Sequence, residues 1–292
     1  MRIDQLQRKG FTNVDEGVHS QTWTGGLLRQ NEARPAHRLI KLYRSASRGA
    51  AKYLNTKPFI LRNKQPIVSF TFDDVPESAF QNGARILDRH GVCGTFYIAP
   101  GTCGTQDQHW RLISRSDVGA LAKAGHEIGA HTYSHVRVEP LSADALLDES
   151  RKCREALAEL CPNARVENFA YPFGGISLPR KLQLQSEFAT CRSIYSGINS
   201  GLVDLGVLAA ENLYDRTLDD GGIARLLDEV ERVNGWLIFY THDVADNPSW
   251  IGCSPTLLNR VIEAVKDRGI ATLGVADALN RVGYRTKQPT SA

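Results

Sequence analysis

Two adjacent carboxylates, Asp73 and Asp74, close a short apolar run, Ile67-Val68-Ser69-Phe70-Thr71-Phe72. Neighbouring negative charges repel. A fold keeps such a pair when a cation, usually a metal, holds one and frees the other to act as a base. Alone, the pair reads rather as a solvated turn after a strand. Further along, Gly125-His126-Glu127-Ile128-Gly129-Ala130-His131-Thr132-Tyr133-Ser134-His135 sets two histidines, His131 and His135, four residues apart. On a helical turn that spacing brings both imidazoles to one face, within reach of one ion. Two histidines and one carboxylate leave coordination positions open for water and substrate. That is the pattern of a catalytic centre, not of a closed structural one.

These residues need elements to hold them. The run over residues 67–73 is rich in β-branched and aromatic residues and reads as a buried strand. Its carboxylates fall at the carboxyl end, where parallel α/β folds place their chemistry. From there strands and helices alternate. Strands are expected over residues 93–98, 127–130, 166–171, 190–195, 206–212, 236–241 and 270–273. Helices are expected over 76–90, 116–124, 142–161, 178–188, 221–233 and 255–268, with Ser142 a helix cap and Gly91 a helix stop. This alternation predicts a parallel, barrel-like α/β sheet.

Thr71-Phe72-Asp73-Asp74 and His131-Thr132-Tyr133-Ser134-His135 resemble the first two motifs of the polysaccharide deacetylases, the NodB-like carbohydrate esterase family 4. Phe169-Ala170-Tyr171-Pro172-Phe173-Gly174 and Leu237-Ile238-Phe239-Tyr240-Thr241-His242 resemble its third and fifth motifs, in the family's order. The resemblance covers roughly residues 66 to 280 and is most specific in the first two motifs. It implies a distorted (β/α) barrel with seven or eight mostly parallel strands, of the NodB-homology type. It implies Asp74, His131 and His135 as metal ligands and Asp73 as the general base, although Asp73 also reads as a second ligand. It implies that the Phe173 backbone N–H helps hold the oxyanion, with Tyr171 in the same turn expected to contact substrate, and that His242 protonates the leaving amine. Zinc is the expected metal; cobalt, nickel or manganese suits the same ligands.

Two departures stand out. Ala170 occupies the place of an arginine that orients the base in many members, and the fourth motif, an aspartate with a tryptophan four residues on, is not recognisable. Arg216 is expected to orient Asp73 from another strand, or to meet substrate. Trp110 and Trp250, on loops near the expected mouth, either stack on sugar rings or cap the core.

The expected domains are an N-terminal arm over residues 1–62, a deacetylase domain over 63–283 and a frayed tail over 284–292. Of 292 residues, 42% are hydrophobic and 23% charged, ordinary for a globular chain. A net charge of +3 with no phosphate loop and no aromatic–basic array gives no argument for nucleic acid. The six cysteines form no CxxC and read as free thiols. No stretch resembles a signal peptide or a membrane span, so the expected location is cytoplasmic, and the expected substrate an N-acetylated sugar in a soluble oligosaccharide or a nucleotide- or lipid-linked precursor. Between Ala33 and Phe72 nine basic residues stand without an acidic one. They read as a solvated helix or as a peripheral contact, through residues 34–64, with anionic membrane or lipid-linked glycan. The rival functions are an amidohydrolase for a small non-sugar amide and an inactive glycan-binding relative.

Overall fold

The computed structural model describes residues 33–284. Residues 1–32 of the expected arm and the tail beyond 284 lie outside them. The chain divides into a unit up to Lys41 and a body from Leu42 onward. Every described strand belongs to the body.

Ten strands are described: β1 (Pro58–Ile60), β2 (Ile67–Asp73), β3 (Thr95–Ile98), β4 (Glu127–Ala130), β5 (Asn168–Ala170), β6 (Thr190–Arg192), β7 (Leu202–Asp204), β8 (Glu211–Asn212), β9 (Trp236–Thr241) and β10 (Ala271–Thr272). The eight described α-helices are α1 (Ala33–Tyr53), α2 (Arg85–His90), α3 (Arg115–Lys123), α4 (Ala143–Leu160), α5 (Leu178–Glu187), α6 (Asp220–Arg232), α7 (Pro255–Asp267) and α8 (Val275–Arg281). The helix expected over residues 76–90 is interrupted: a π-helical stretch, Ala79–Ala84, precedes α2. Helix α8 and the small antiparallel sheet of β1 and β7 are additions to the expected elements.

Seven strands run parallel in the order β6-β5-β4-β3-β2-β9-β8, and β10 joins the start of β2. The edges are brought together by residues 205–210. The Cys191 N–H donates to the Leu205 carbonyl (2.8 Å), Ser193 N–H to Leu208 (2.9 Å) and Ala210 N–H to Tyr195 (2.9 Å) before the chain enters β8. The result is the parallel, barrel-like sheet that the alternation predicts, in the distorted form that the motif resemblance implies.

Strands β2 and β9 are buried along their whole length, as a parallel sheet covered on both faces requires. Phe72 stacks on Phe96 with ring centroids 4.6 Å apart; each such ring contributes roughly 1.5–3 kcal/mol by leaving water. Two of the polar exceptions inside are paired with each other's strands. The Trp236 indole N–H donates to Ser69 (2.9 Å), and the Thr71 hydroxyl to the Phe239 carbonyl (2.8 Å). Pairing of Phe72 with Thr241 brings Asp73 and Asp74 level with His242. Pairing of Ile98 with Ala130 carries His131 to the same end.

Helix α1 is tied down at its carboxyl end. The fully buried Lys181 ammonium donates to the carbonyls of Ala51 (2.8 Å) and Leu54 (2.6 Å) and pairs with Asp204 (2.6 Å). A cation belongs where the last helical carbonyls gather partial negative charge. No described helix is long and apolar enough to cross a membrane. All six cysteines are free.

Candidate active site

Strand β2 ends by turning left-handed. Asp74 has φ 59° and Val75 φ 53°, so the two carboxylates diverge. Thr132 (58°), His135 (53°) and Phe173 (56°) adopt the same region. Of the six described non-glycine residues with positive φ, five lie here; only Asn234 lies elsewhere. Each such conformation costs about 1–3 kcal/mol and persists only where the surroundings over-determine it.

His131 and His135 converge on Asp74. Their Nε2 atoms stand 3.2 and 2.8 Å from Asp74 Oδ1. One donor atom from each of the three residues falls within a 4.8 Å span. The segment joining the histidines is not the helical turn expected from their spacing; it is a loop after β4, bent at Thr132 and His135. Two groups fix it. Glu149 of α4 accepts from the N–H groups of Tyr133 and Ser134, both at 2.9 Å, and from the Ser134 hydroxyl (3.1 Å). The Thr132 hydroxyl oxygen accepts from the Val136 N–H (3.1 Å).

The donor set fits a divalent metal. His131 Nδ1 lies 2.8 Å from the Ala170 carbonyl, which only accepts, so Nδ1 carries the proton and Nε2 presents a lone pair. That lone pair faces the Asp74 carboxylate, whose buried Oδ1 has no hydrogen-bond donor. Acceptor facing acceptor calls for a cation between them.

Asp73 is anchored by a residue that the motifs did not point to. The Arg192 guanidinium, fully buried on β6, donates to the Asp73 carboxylate. Its plane lies between Tyr97 (5.2 Å) and Tyr240 (5.1 Å). Burial works against the Arg192 charge, but Asp73 outweighs it and the guanidinium titrates above its ordinary value. Tyr97 can lie in this position because Gly129 has no side chain; a Cβ there would collide with the tyrosine ring. Arg192 is the direct cross-strand partner of Ala170. An arginine thus reaches Asp73 from one strand over, level with the third-motif place that Ala170 occupies.

Arg216 does not meet Asp73. It is exposed, 5.0 Å over the Trp250 ring and 5.7 Å over Tyr214. Tyr171 is also corrected as a substrate contact: its ring is buried and its hydroxyl donates to the Gly206 carbonyl (2.9 Å), so its side chain holds up the barrel wall. Phe173 is half exposed and lies 4.5 Å from the His135 ring. His242 points Nε2 toward Asp74 Oδ2 at 4.0 Å, and its Nδ1 lies 3.1 Å from the Ile251 carbonyl. Trp110 stacks on His242 at 5.9 Å, and Trp250 is exposed.

His126, with no place in this cluster, is buried; its Nδ1 accepts from the Gly94 N–H (3.2 Å), and its ring meets the edge of Phe96. A cavity of about 390 Å³ lies at the opposite end of the strands, beside His126 and Cys93, and includes none of the site residues.

Comparison with known proteins gives one answer. The family description polysaccharide deacetylase matches residues 61–187. A chitin deacetylase of Arthroderma benhamiae is 22% identical over 215 residues, 73% of this chain and 51% of that protein. A peptidoglycan-N-acetylglucosamine deacetylase of Bacillus cereus is 32% identical over 123 residues, 41% of this chain and 40% of that protein. The chain thus spans about half the length, or less, of these two relatives. Among solved structures, a family 4 acetyl xylan esterase from Clostridium thermocellum in complex with a cobalt ion superposes with a TM-score of 0.53 at 18% identity, covering 73% of this chain and 90% of that one. A family 4 carbohydrate esterase from Bacillus anthracis gives 0.52 at 14% identity, covering 90% and 96%. These likenesses concern the fold.

Proposed function

We propose that this chain, which the polysaccharide deacetylase family matches over residues 61–187, hydrolyses the acetamide of an N-acetylated amino sugar, in a glycan or glycan precursor, and releases acetate. One observation carries the reading: the Nε2 atoms of His131 and His135 and the Asp74 carboxylate converge on one point beside a second, arginine-anchored carboxylate. Those three residues would hold a divalent metal, zinc foremost. When bound, it supplies Lewis acidity, bringing the pKa of water down to about 7 and polarising a carbonyl.

The chain's own groups do the rest. Asp73, held by Arg192, takes a proton from the attacking water. The backbone N–H of Phe173 offers a donor to the oxygen that gains charge as the carbonyl carbon becomes tetrahedral. His242 gives a proton to the nitrogen as the C–N bond breaks. An inactive glycan-binding relative is the weaker reading; against it speak the buried arginine paired with Asp73 and the carbonyl acceptor on His242 Nδ1.

Purified protein, never exposed to chelator, is expected to carry about one metal per chain. Acetate release from an N-acetylglucosamine oligomer should cease after chelation and return with zinc. Metal-free protein, or activity indifferent to chelation, would refute the ligand assignment.

The basic segment has a proposed partner too. Arg44, Arg48, Lys52, Arg62 and Lys64 are exposed, beside the exposed Leu42, Tyr53, Leu54 and Ile60. This combination suits an anionic lipid surface. Flotation with phosphatidylglycerol vesicles at low salt should carry the protein upward, and neutral vesicles should not. Equal behaviour with both vesicle types would end the proposal.

A further inference from the structure

His242 has no carboxylate on its Nδ1; a backbone carbonyl holds it. We propose that Asp243 is the positioning residue that places this carbonyl, through the loop following β9. The inference rests on His242 acting as proton donor to the leaving nitrogen.

Asp243 is buried, 3% exposed, and its side chain points away from the metal ligands into its own loop. One carboxylate oxygen accepts from the Ser249 N–H (2.8 Å), the other from the Ser249 hydroxyl (2.5 Å). Its backbone carbonyl accepts from the Cys253 N–H (3.0 Å), and Ala245 N–H donates back to the Cys253 carbonyl (3.2 Å). Gly252 N–H donates to the Ser249 carbonyl (3.1 Å). The loop closes so tightly over Asp243 that a Cβ on Gly252 would collide with the Asp243 carboxylate. Ile251 sits between these fixed points, and its carbonyl is presented to His242 Nδ1 at 3.1 Å.

The chemical consequence is specific. A carbonyl only accepts, so it selects the imidazole tautomer protonated at Nδ1 and leaves Nε2, facing Asp74, as the atom that gains and gives the mobile proton. An ordinary loop cap would stabilise the fold without setting that tautomer. Asp243 thus does through a turn of backbone what a carboxylate in direct contact would otherwise do.

The test compares Asp243→Asn and Ser249→Ala with His242→Ala in the full chain; Ser249→Ala removes only one hydroxyl, which guards against loss of fold. With an N-acetylglucosamine oligomer, both loop variants should lose about 10–100-fold in kcat, with KM within about twofold of the original. With para-nitrophenyl acetate, whose phenolate leaves without a proton, they should stay within about threefold. Equal losses on both substrates, or none on either, would overturn the proposal. Long-range proton–nitrogen NMR of the His242 ring should show the Nδ1–H tautomer in the original chain and a mixture in the variants. A mixture already present in the original, or a tautomer unmoved in the variants, overturns it independently of turnover. Failure of the original chain to release acetate from any N-acetylated sugar would instead strike the functional reading, and the NMR arm would still decide this one.

Discussion

Asp73→Asn lowers kcat for acetate release by about 1,000-fold while leaving the metal content at about one per chain, if Asp73 is the base. The substitution is nearly isosteric. The asparagine carbonyl can still accept from Arg192, so the barrel end keeps its shape, and only the capacity to take a proton is gone. The alternative, Asp73 as a second ligand, gives a different pattern: the metal is lost together with the activity. Steady-state kinetics beside elemental analysis separates the two. Turnover within about threefold of the original chain would remove Asp73 from the mechanism.

Arg192→Met is expected to destabilise the fold by about 3–5 kcal/mol, because it strands a buried carboxylate. At about 2–4 °C per kcal/mol for a body of this size, Tm should fall by roughly 10 °C. Adding Asp73→Asn should return more than half of that loss, since the uncompensated charge then disappears. Recovery will be incomplete: the guanidinium also lies between two tyrosine rings, a contact worth about 0.5–2 kcal/mol. Thermal unfolding of both single variants and the double variant checks this. Additive losses would mean that the two residues are not energetically coupled.

The barrel was legible because its period is simple. Strands β2, β4 and β9 have the bounds expected from their apolar runs, since burial on both faces leaves no alternation to misread. Ser142 caps α4 as expected, accepting from the Ala145 N–H (3.2 Å). Strands β1, β7 and β8 were less legible. They are two or three residues long and are set by hydrogen bonds to distant segments.

At the site, Asp74, His131 and His135 come together as their types demanded. Spacing did not reveal what holds them. The histidine loop depends on Glu149, a helix away, and on left-handed backbone at residues that are not glycine. Arg192 shows the limit most clearly. Motif order points to residue 170, and the arginine lies opposite it across β5 and β6, 22 positions later. One signal was available: a lone arginine between Cys191 and Ser193 in a buried strand needs an acid, and Asp73 is a buried acid in need of a base. Neighbourhood in a parallel sheet is invisible to linear distance, so a partner on the next strand leaves no trace in the motif beside it.

The left-handed residues at the barrel mouth carry a consequence for how this protein can change. Asp74, Val75, Thr132, His135 and Phe173 occupy conformations that glycine would adopt at less cost, Val75 most of all, being β-branched. The molecule therefore keeps its most expensive backbone beside its chemistry. Thermal hardening and turnover compete for the same five positions, and a lineage selected for heat tolerance alone would find its easiest gains by dismantling the site.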